Sequence, residues 1–188
     1  MSFAETCREL IKTGEGSISH MYLDTRGFVT VGVENMMRTA AEAQALTFVR
    51  REDDNAATDE EIAADFDAIK NRPYGQSYTA RSFKEFTKLD MPDAEIDALL
   101  DRRIAGFEAA LRDDFPGFDD YPDRARLGLI DMAFNLGNHG LVTKFPTFTA
   151  AARAHDWAVC AEQCRRRGIS ATRNEEVKKH FEEADDPI

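Results

Sequence analysis

The sequence predicts an α+β protein, mostly helical, with one small β hairpin close to its N-terminus. Three observations predict it. Residues 28–33 alternate with a period of two, placing Val29, Val31 and Val33 on one side and Phe28, Thr30 and Gly32 on the other. From Pro92 onward Ile96, Leu99, Leu100, Ile104, Phe107 and Leu111 recur at helical spacing. Over residues 124–136 apolar groups run all the way round, the pattern of a central, buried helix.

Each element has its own signal. Ser2-Phe3-Ala4-Glu5 has capping-box form and opens a first helix, with Phe3, Cys7, Leu10 and Ile11 on one stripe. Gly14 is the predicted stop, since glycine accepts the left-handed conformation that follows a helix, and Glu15 then lies just beyond the end. Strands over residues 20–24 and 28–33 flank Thr25-Arg26-Gly27, a hairpin loop with glycine in the last, positive-φ place. If Asp24 pairs with Phe28, then Tyr22 pairs with Thr30. Tyr22, Asp24 and Thr30 share one face, and the valines face the core. The chain beyond is predicted to be helical: a helix over 40–49, a polar loop over 50–57, and a second capping box, Thr58 to Glu61, opening a helix with Ile62, Phe66 and Ile69 buried. A loop over 71–77 surrounds Pro73 and Gly75. The long helix from Pro92 stops at Pro116-Gly117, and helices follow over 124–136, 146–154, 156–167 and 172–183.

At 188 residues and 43% hydrophobic, the chain suits one domain, or two small lobes sharing a core. No apolar run approaches the roughly 20 residues that span a bilayer, so no membrane insertion is expected. The first seven residues lack a basic n-region and an apolar h-region, so no secretory signal is expected either. A formal net charge of −11 argues against nucleic acid, whose binding needs Lys and Arg to neutralise phosphates. The acidic runs Glu52-Asp53-Asp54, Asp59-Glu60-Glu61 and Asp185-Asp186 read as solvated surface. Cys7, Cys160 and Cys164 are too few for a disulfide scaffold and form no Cys-x-x-Cys pattern. They read as small buried hydrophobes, with a bond from Cys7 to Cys160 or Cys164 as the alternative.

The stretch around the hairpin concentrates the chemistry. Glycoside hydrolysis commonly needs two carboxyl groups, one donating a proton to the leaving oxygen and one, ionised, activating water or attacking the sugar. Glu15 lies near the negative end of a helix dipole, a place that disfavours an anion. Asp24 lies on the polar hairpin face, and Thr30 offers a hydroxyl to hold a water beside it. Singly these are an ordinary surface glutamate, turn aspartate and strand threonine. Their order and shared facing set them apart.

With Glu15-Gly16 ahead of it, the run Tyr22-Leu23-Asp24-Thr25-Arg26-Gly27-Phe28-Val29-Thr30-Val31-Gly32 resembles the phage-type lysozymes, the muramidases of glycoside hydrolase family 24. Asp131 to Gly137, Phe145-Pro146, Asp156-Trp157, Arg173-Asn174 and His180-Phe181 resemble that family's C-terminal lobe in order. Asp24-Thr25, Thr30-Val31-Gly32-Val33, Asn35-Met36 and Ala43-Gln44-Ala45-Leu46 further resemble its pesticin-like branch, found in bacteriocins and type VI secretion effectors. The likeness covers most of the chain and is weakest over 50–89.

The resemblance implies a lysozyme-like fold in a single domain: a β-hairpin lobe over about 14–70, a larger helical lobe over about 91–188 on which the first helix packs, and a cleft between them. It implies Glu15 as general acid, Asp24 as second carboxylate and Thr30 as the residue that positions water, with Tyr22, Gly32, Glu34, Asn135 and Gly137 binding substrate. The mechanism would be inverting, with carboxyl groups roughly 6.5–9.5 Å apart. The implied activity is hydrolysis of the β-1,4 bond between N-acetylmuramic acid and N-acetylglucosamine in peptidoglycan, with no metal and no cofactor. The implied setting is that of an antibacterial effector, monomeric, made in the cytoplasm and acting in the periplasm of a target bacterium. A phage endolysin and a catalytically weak binding module are the alternatives. An effector also implies an immunity protein, a basic one suiting the acidic chain.

The chain departs from the family at Glu34-Asn35, where a second glycine followed by histidine or asparagine is usual. Glu34 either changes the turn, adds a third carboxylate near the sugar, or points into solvent. The Asn135 amide either bonds a sugar group or caps its own helix. Arg165-Arg166-Arg167 either meets carboxylates of peptide stems or complements a helix C-terminus.

Overall fold

Ser2 and Glu5 cap each other: the Ser2 N–H donates to Glu5 Oε2 at 2.7 Å and the Glu5 N–H to Ser2 Oγ at 3.3 Å. They open helix α1, Phe3–Glu15. The structure, a computed structural model, describes residues 1–188. It carries α1 past the predicted stop at Gly14, and the left-handed residue is Gly16, at φ 81°. Gly14 serves close packing instead, since a Cβ there would lie 2.7 Å from the Arg173 guanidinium. The fold is α+β, with nine helices and two small antiparallel sheets. It divides into two units: Met1–Gly14 with Asp101–Ile188, and Glu15–Leu100.

The second unit holds a three-stranded sheet of β1 (Ile18–Leu23), β2 (Val29–Gly32) and β3 (Asn35–Met37), in that order. The hairpin forms in the predicted register, Tyr22 opposite Thr30 and Leu23 opposite Val29. Val29, Val31 and Val33 are buried as expected. The other face is not the open polar face the alternation predicts, because Thr30 and Gly32 are buried too. Ile96 covers it: a Cβ on Gly32 would sit 3.6 Å from the Ile96 side chain. The strand β3 stands where the sequence predicts no further strand. It forms because the chain reverses through Glu34, at φ 52°, and returns Asn35 opposite Val31.

The predicted helix over 40–49 ends early. Thr39 caps α2, Ala40–Gln44, and Val49–Arg50 then leaves as strand β4 to pair with β5, Leu89–Asp90. Thr47, Phe48 and Val49 are β-branched or aromatic, suited to a pleated surface, and Phe48 is buried. The Thr58–Glu61 capping box forms, at 2.8 and 3.3 Å, at the head of α3, Asp59–Lys70. Ile62, Phe66 and Ile69 are buried as predicted. Asp65, also buried, accepts the Lys88 and Leu89 N–H groups at 2.8 and 2.9 Å and ties α3 to β5. Its desolvation pushes the carboxyl above the usual range.

Helix α4, Asp93–Asp114, runs on from the second unit into the first. In the first unit α5, Asp123–Leu136, is the buried central helix that its composition predicts. It also carries an aspartate with no exposure, Asp131, held by Arg166 Nη2 and Arg173 Nη2, both at 2.7 Å. Around it lie α6 (Asn138–Lys144), α7 (Pro146–Arg153), α8 (Trp157–Gln163) and α9 (Ala171–Glu182). The predicted helix over 156–167 stops at Gln163 because Asn174 clamps the next loop. Asn174 accepts the Arg166 N–H at 2.9 Å and donates to the Arg166 carbonyl at 3.0 Å. The three cysteines are free and buried, and burial pushes the Cys7 and Cys160 thiols up to about 12.

Candidate active site

The turn between β1 and β2 is built by Asp24. Its N–H donates to the Phe28 carbonyl at 3.0 Å, and its own carbonyl accepts the Gly27 N–H at 3.0 Å. Gly27 takes φ 84°, the left-handed place that the loop reserves for glycine. The Asp24 carboxylate closes the turn from the side chain: Oδ1 accepts the Arg26 N–H at 2.9 Å and the Phe28 N–H at 2.8 Å. Oδ2 takes no part in that turn and has Arg26 Nε 3.6 Å away. The Arg26 guanidinium also lies 5.0 Å from the centre of the Phe28 ring. The Asp24 side chain is 24% exposed, and its Oδ1 is fixed by backbone.

Opposite residues in an antiparallel pair share a face. Tyr22 and Thr30 are opposite and so share one side of the hairpin, and Asp24 lies two residues on from Tyr22, at the turn. Thr30 is 2% exposed, and its hydroxyl donates to the Phe28 carbonyl at 3.0 Å. With that proton committed, the oxygen is left to accept. Glu15 is the last residue of α1; it is half-buried, with Oε1 shut off from solvent.

Glu15, Tyr22, Asp24, Thr30, Gly32 and Glu34 all belong to the Glu15–Leu100 unit, whereas Asn135 and Gly137 belong to the other. Glu34 is exposed and takes a left-handed backbone, at φ 52°. Asn135 does not cap its helix. That end is closed by the Gly137 N–H on the Ala133 carbonyl at 2.8 Å, and the half-buried Asn135 amide makes no hydrogen bond within the chain. Gly137 has φ 70°, which turns the chain directly from α5 into α6. His139 is exposed.

Two neighbours of the hairpin escaped the sequence reading. Tyr74, from the loop over 71–77, lies against the hairpin tip: a Cβ on Gly27 would sit 2.7 Å from its ring. His20, buried in β1, donates from Nε2 to the Ala80 carbonyl at 3.0 Å, the only polarity a carbonyl partner permits. Nothing periodic marks Tyr74 in the sequence, since loop packing is a tertiary matter. A cavity of about 830 Å³ elsewhere in this unit, between Arg50, Asp65, Phe86 and Lys88, is lined by none of Glu15, Asp24 or Thr30. No group of His, Cys, Asp and Glu side chains is arranged to hold a metal ion, and no helix is long and apolar enough to cross a membrane.

No protein-family model matches this chain, and no curated protein sequence matches it.

Proposed function

We propose that this protein is a glycoside hydrolase of the two-carboxyl kind, with Glu15 as proton donor and Asp24 as base. Its particular substrate, on this reading, is peptidoglycan: the enzyme is a muramidase cutting the β-1,4 bond between N-acetylmuramic acid and N-acetylglucosamine. The observation that supports the reading is the hairpin register, Tyr22 opposite Thr30 with Asp24 two residues on, where Asp24 and Thr30 each keep an oxygen able to accept a hydrogen bond. A water between them would donate one hydrogen bond to Asp24 Oδ2 and one to Thr30 Oγ1; as a lone pair of its oxygen attacks the anomeric carbon, Asp24 takes the first proton and the second stays on the oxygen that joins the sugar. Thr30 suits that role because its hydroxyl already donates its hydrogen bond to the Phe28 carbonyl, so that its oxygen is left to accept. Glu15, at the end of α1, would protonate the departing oxygen. The unbonded Asn135 amide is available to an N-acetyl group or sugar hydroxyl. Tyr22, Gly32 and Glu34, in the same unit as Glu15 and Asp24, complete the substrate contacts in this proposal. We further propose an antibacterial effector that acts in the periplasm of a target cell and is neutralised by a basic immunity protein.

Glu15→Gln keeps the size of the side chain and removes its acid. It should lower the release of reducing ends from purified peptidoglycan by about 10²–10⁴-fold. Asp24→Asn should do likewise, with circular dichroism unchanged for both. An undiminished Glu15→Gln rate would refute the assignment, and a wild type that binds peptidoglycan without cutting it would leave a binding module in its place.

A further inference from the structure

We propose that the cavity between the C-terminal end of α8 and the first turn of α9 binds an anionic group, a carboxylate or a phosphate. The cavity measures about 670 Å³ and is lined by Arg165, Arg166, Arg167 and Lys178. In a chain of net charge −11 this is a concentration of the opposite sign. The arginine run does not act as a unit. Arg166 is 2% exposed and faces Asp131, donating from Nη1 to the Asp131 carbonyl at 3.2 Å, while its Nε has no hydrogen-bond partner. Arg165 and Arg167, on either side, are exposed and make no ion pair or hydrogen bond within the chain. Lys178 is already engaged by Glu182 at 2.9 Å. Glu162 and Glu175 also line the cavity, and Glu175 lies 3.9 Å from Lys178, so two guanidinium groups at the rim are left without a carboxylate.

The rim is held in place before any ligand arrives. Asn174 bonds both the N–H and the carbonyl of Arg166, and Gly168 turns the loop at φ 82°. At the head of α9, a helix of 12 residues, Ser170 Oγ takes the Arg173 N–H at 3.2 Å, and the Ala171 and Thr172 N–H groups remain unbonded. Unpaired guanidinium forks beside free helical N–H groups match the planar oxygens of a carboxylate or phosphate. Resting on the muramidase reading, one source of such a group is a carboxylate of the peptide stem on the glycan. The other is a phosphate, free or esterified.

The test uses the full chain carrying Glu15→Gln, so that glycan fragments are not consumed. Its backbone amides are followed by NMR while inorganic phosphate, a muropeptide with its stem, or the same sugars without a stem are added. The expected result is saturable movement of amides over 165–175 with phosphate, with the muropeptide, or with both, but not with the bare sugars. Arg165→Ala with Arg167→Ala should weaken it at least ten-fold; both residues are exposed, and an unchanged melting temperature checks the fold. Response to the muropeptide alone assigns the site to stems, and response to phosphate alone assigns it to phosphate. Absence of saturable movement with either, or equal affinity in the double variant, overturns the proposal. The muramidase reading is judged apart from this, by wild-type turnover of stem-free glycan.

Discussion

Glu34 occupies a backbone conformation that costs an L residue roughly 1–2 kcal/mol. The two turns of the sheet show why it does so. Each has a left-handed residue near the returning strand: Gly27 at φ 84°, two residues ahead of β2, and Glu34 at φ 52°, immediately ahead of β3. The first loop uses the residue that suits the geometry; the second does not. Glu34→Gly should therefore raise stability by about 1 kcal/mol, after allowing for glycine's larger loss of chain entropy. Urea unfolding would measure it, and a fall in stability would mean that contacts of the glutamate outweigh the strain. At this scale Gly27 was legible in the sequence, because glycine at the end of a three-residue loop carries its conformation with it. Glu34 stands out in the sequence only through the resemblance, which leads one to expect glycine nearby. Asp131 was not legible at all, since a lone acid in an apolar helix gives no sign of the arginines that meet it from residues 166 and 173.

Among the elements, helices announced by caps and stripes were read well. α1 and α3 begin at the predicted boxes, and α5 is buried on every side. What could not be read were β3, β4 and β5, strands of two or three residues that exist because a distant partner supplies the hydrogen bonds. The contact of α5 with α9 makes a prediction of its own. A Cβ on Gly128 would lie 2.6 Å from the Phe181 ring, which is 1% exposed and packed edge-on against Phe148 at 5.3 Å. Gly128→Ala gains about 1 kcal/mol in helix propensity. Against this, overpacking a ring that has nowhere to move costs roughly 1–3 kcal/mol. The variant should melt at a lower temperature than wild type, and a higher one would show that Phe181 can yield.

The whole molecule has an acid response that belongs to neither unit alone. His20 lies in the Glu15–Leu100 unit and His180 in the other, and burial holds both imidazoles below their usual range. Between the folded value and the unfolded value of 6.5, the unfolded chain carries more protons, so stability is full above that window and is lost as pH falls through it. Denaturant midpoints should drop from pH 7.5 to 5.5, and replacing both histidines by glutamine should flatten that slope whatever it does to the midpoint itself. Asp65 works in the opposite sense at lower pH. Its carboxyl is raised by burial, so the folded state takes up a proton first and regains stability on acidification. A steeper slope in the double variant would contradict the assignment to the histidines. The division of fold class was legible at this scale, since it rests on periodicities that span the chain. The acid response was not, because it depends on which of the four histidines the fold encloses.

The enclosed sulfur atoms have a further consequence. With protonation of Cys7 and Cys160 lost only near 12, the reactive thiolate of each is populated on the order of one part in 10⁵ at neutral pH. Passage from reducing to oxidising surroundings should therefore leave these two side chains as free thiols, without mixed adducts to undo.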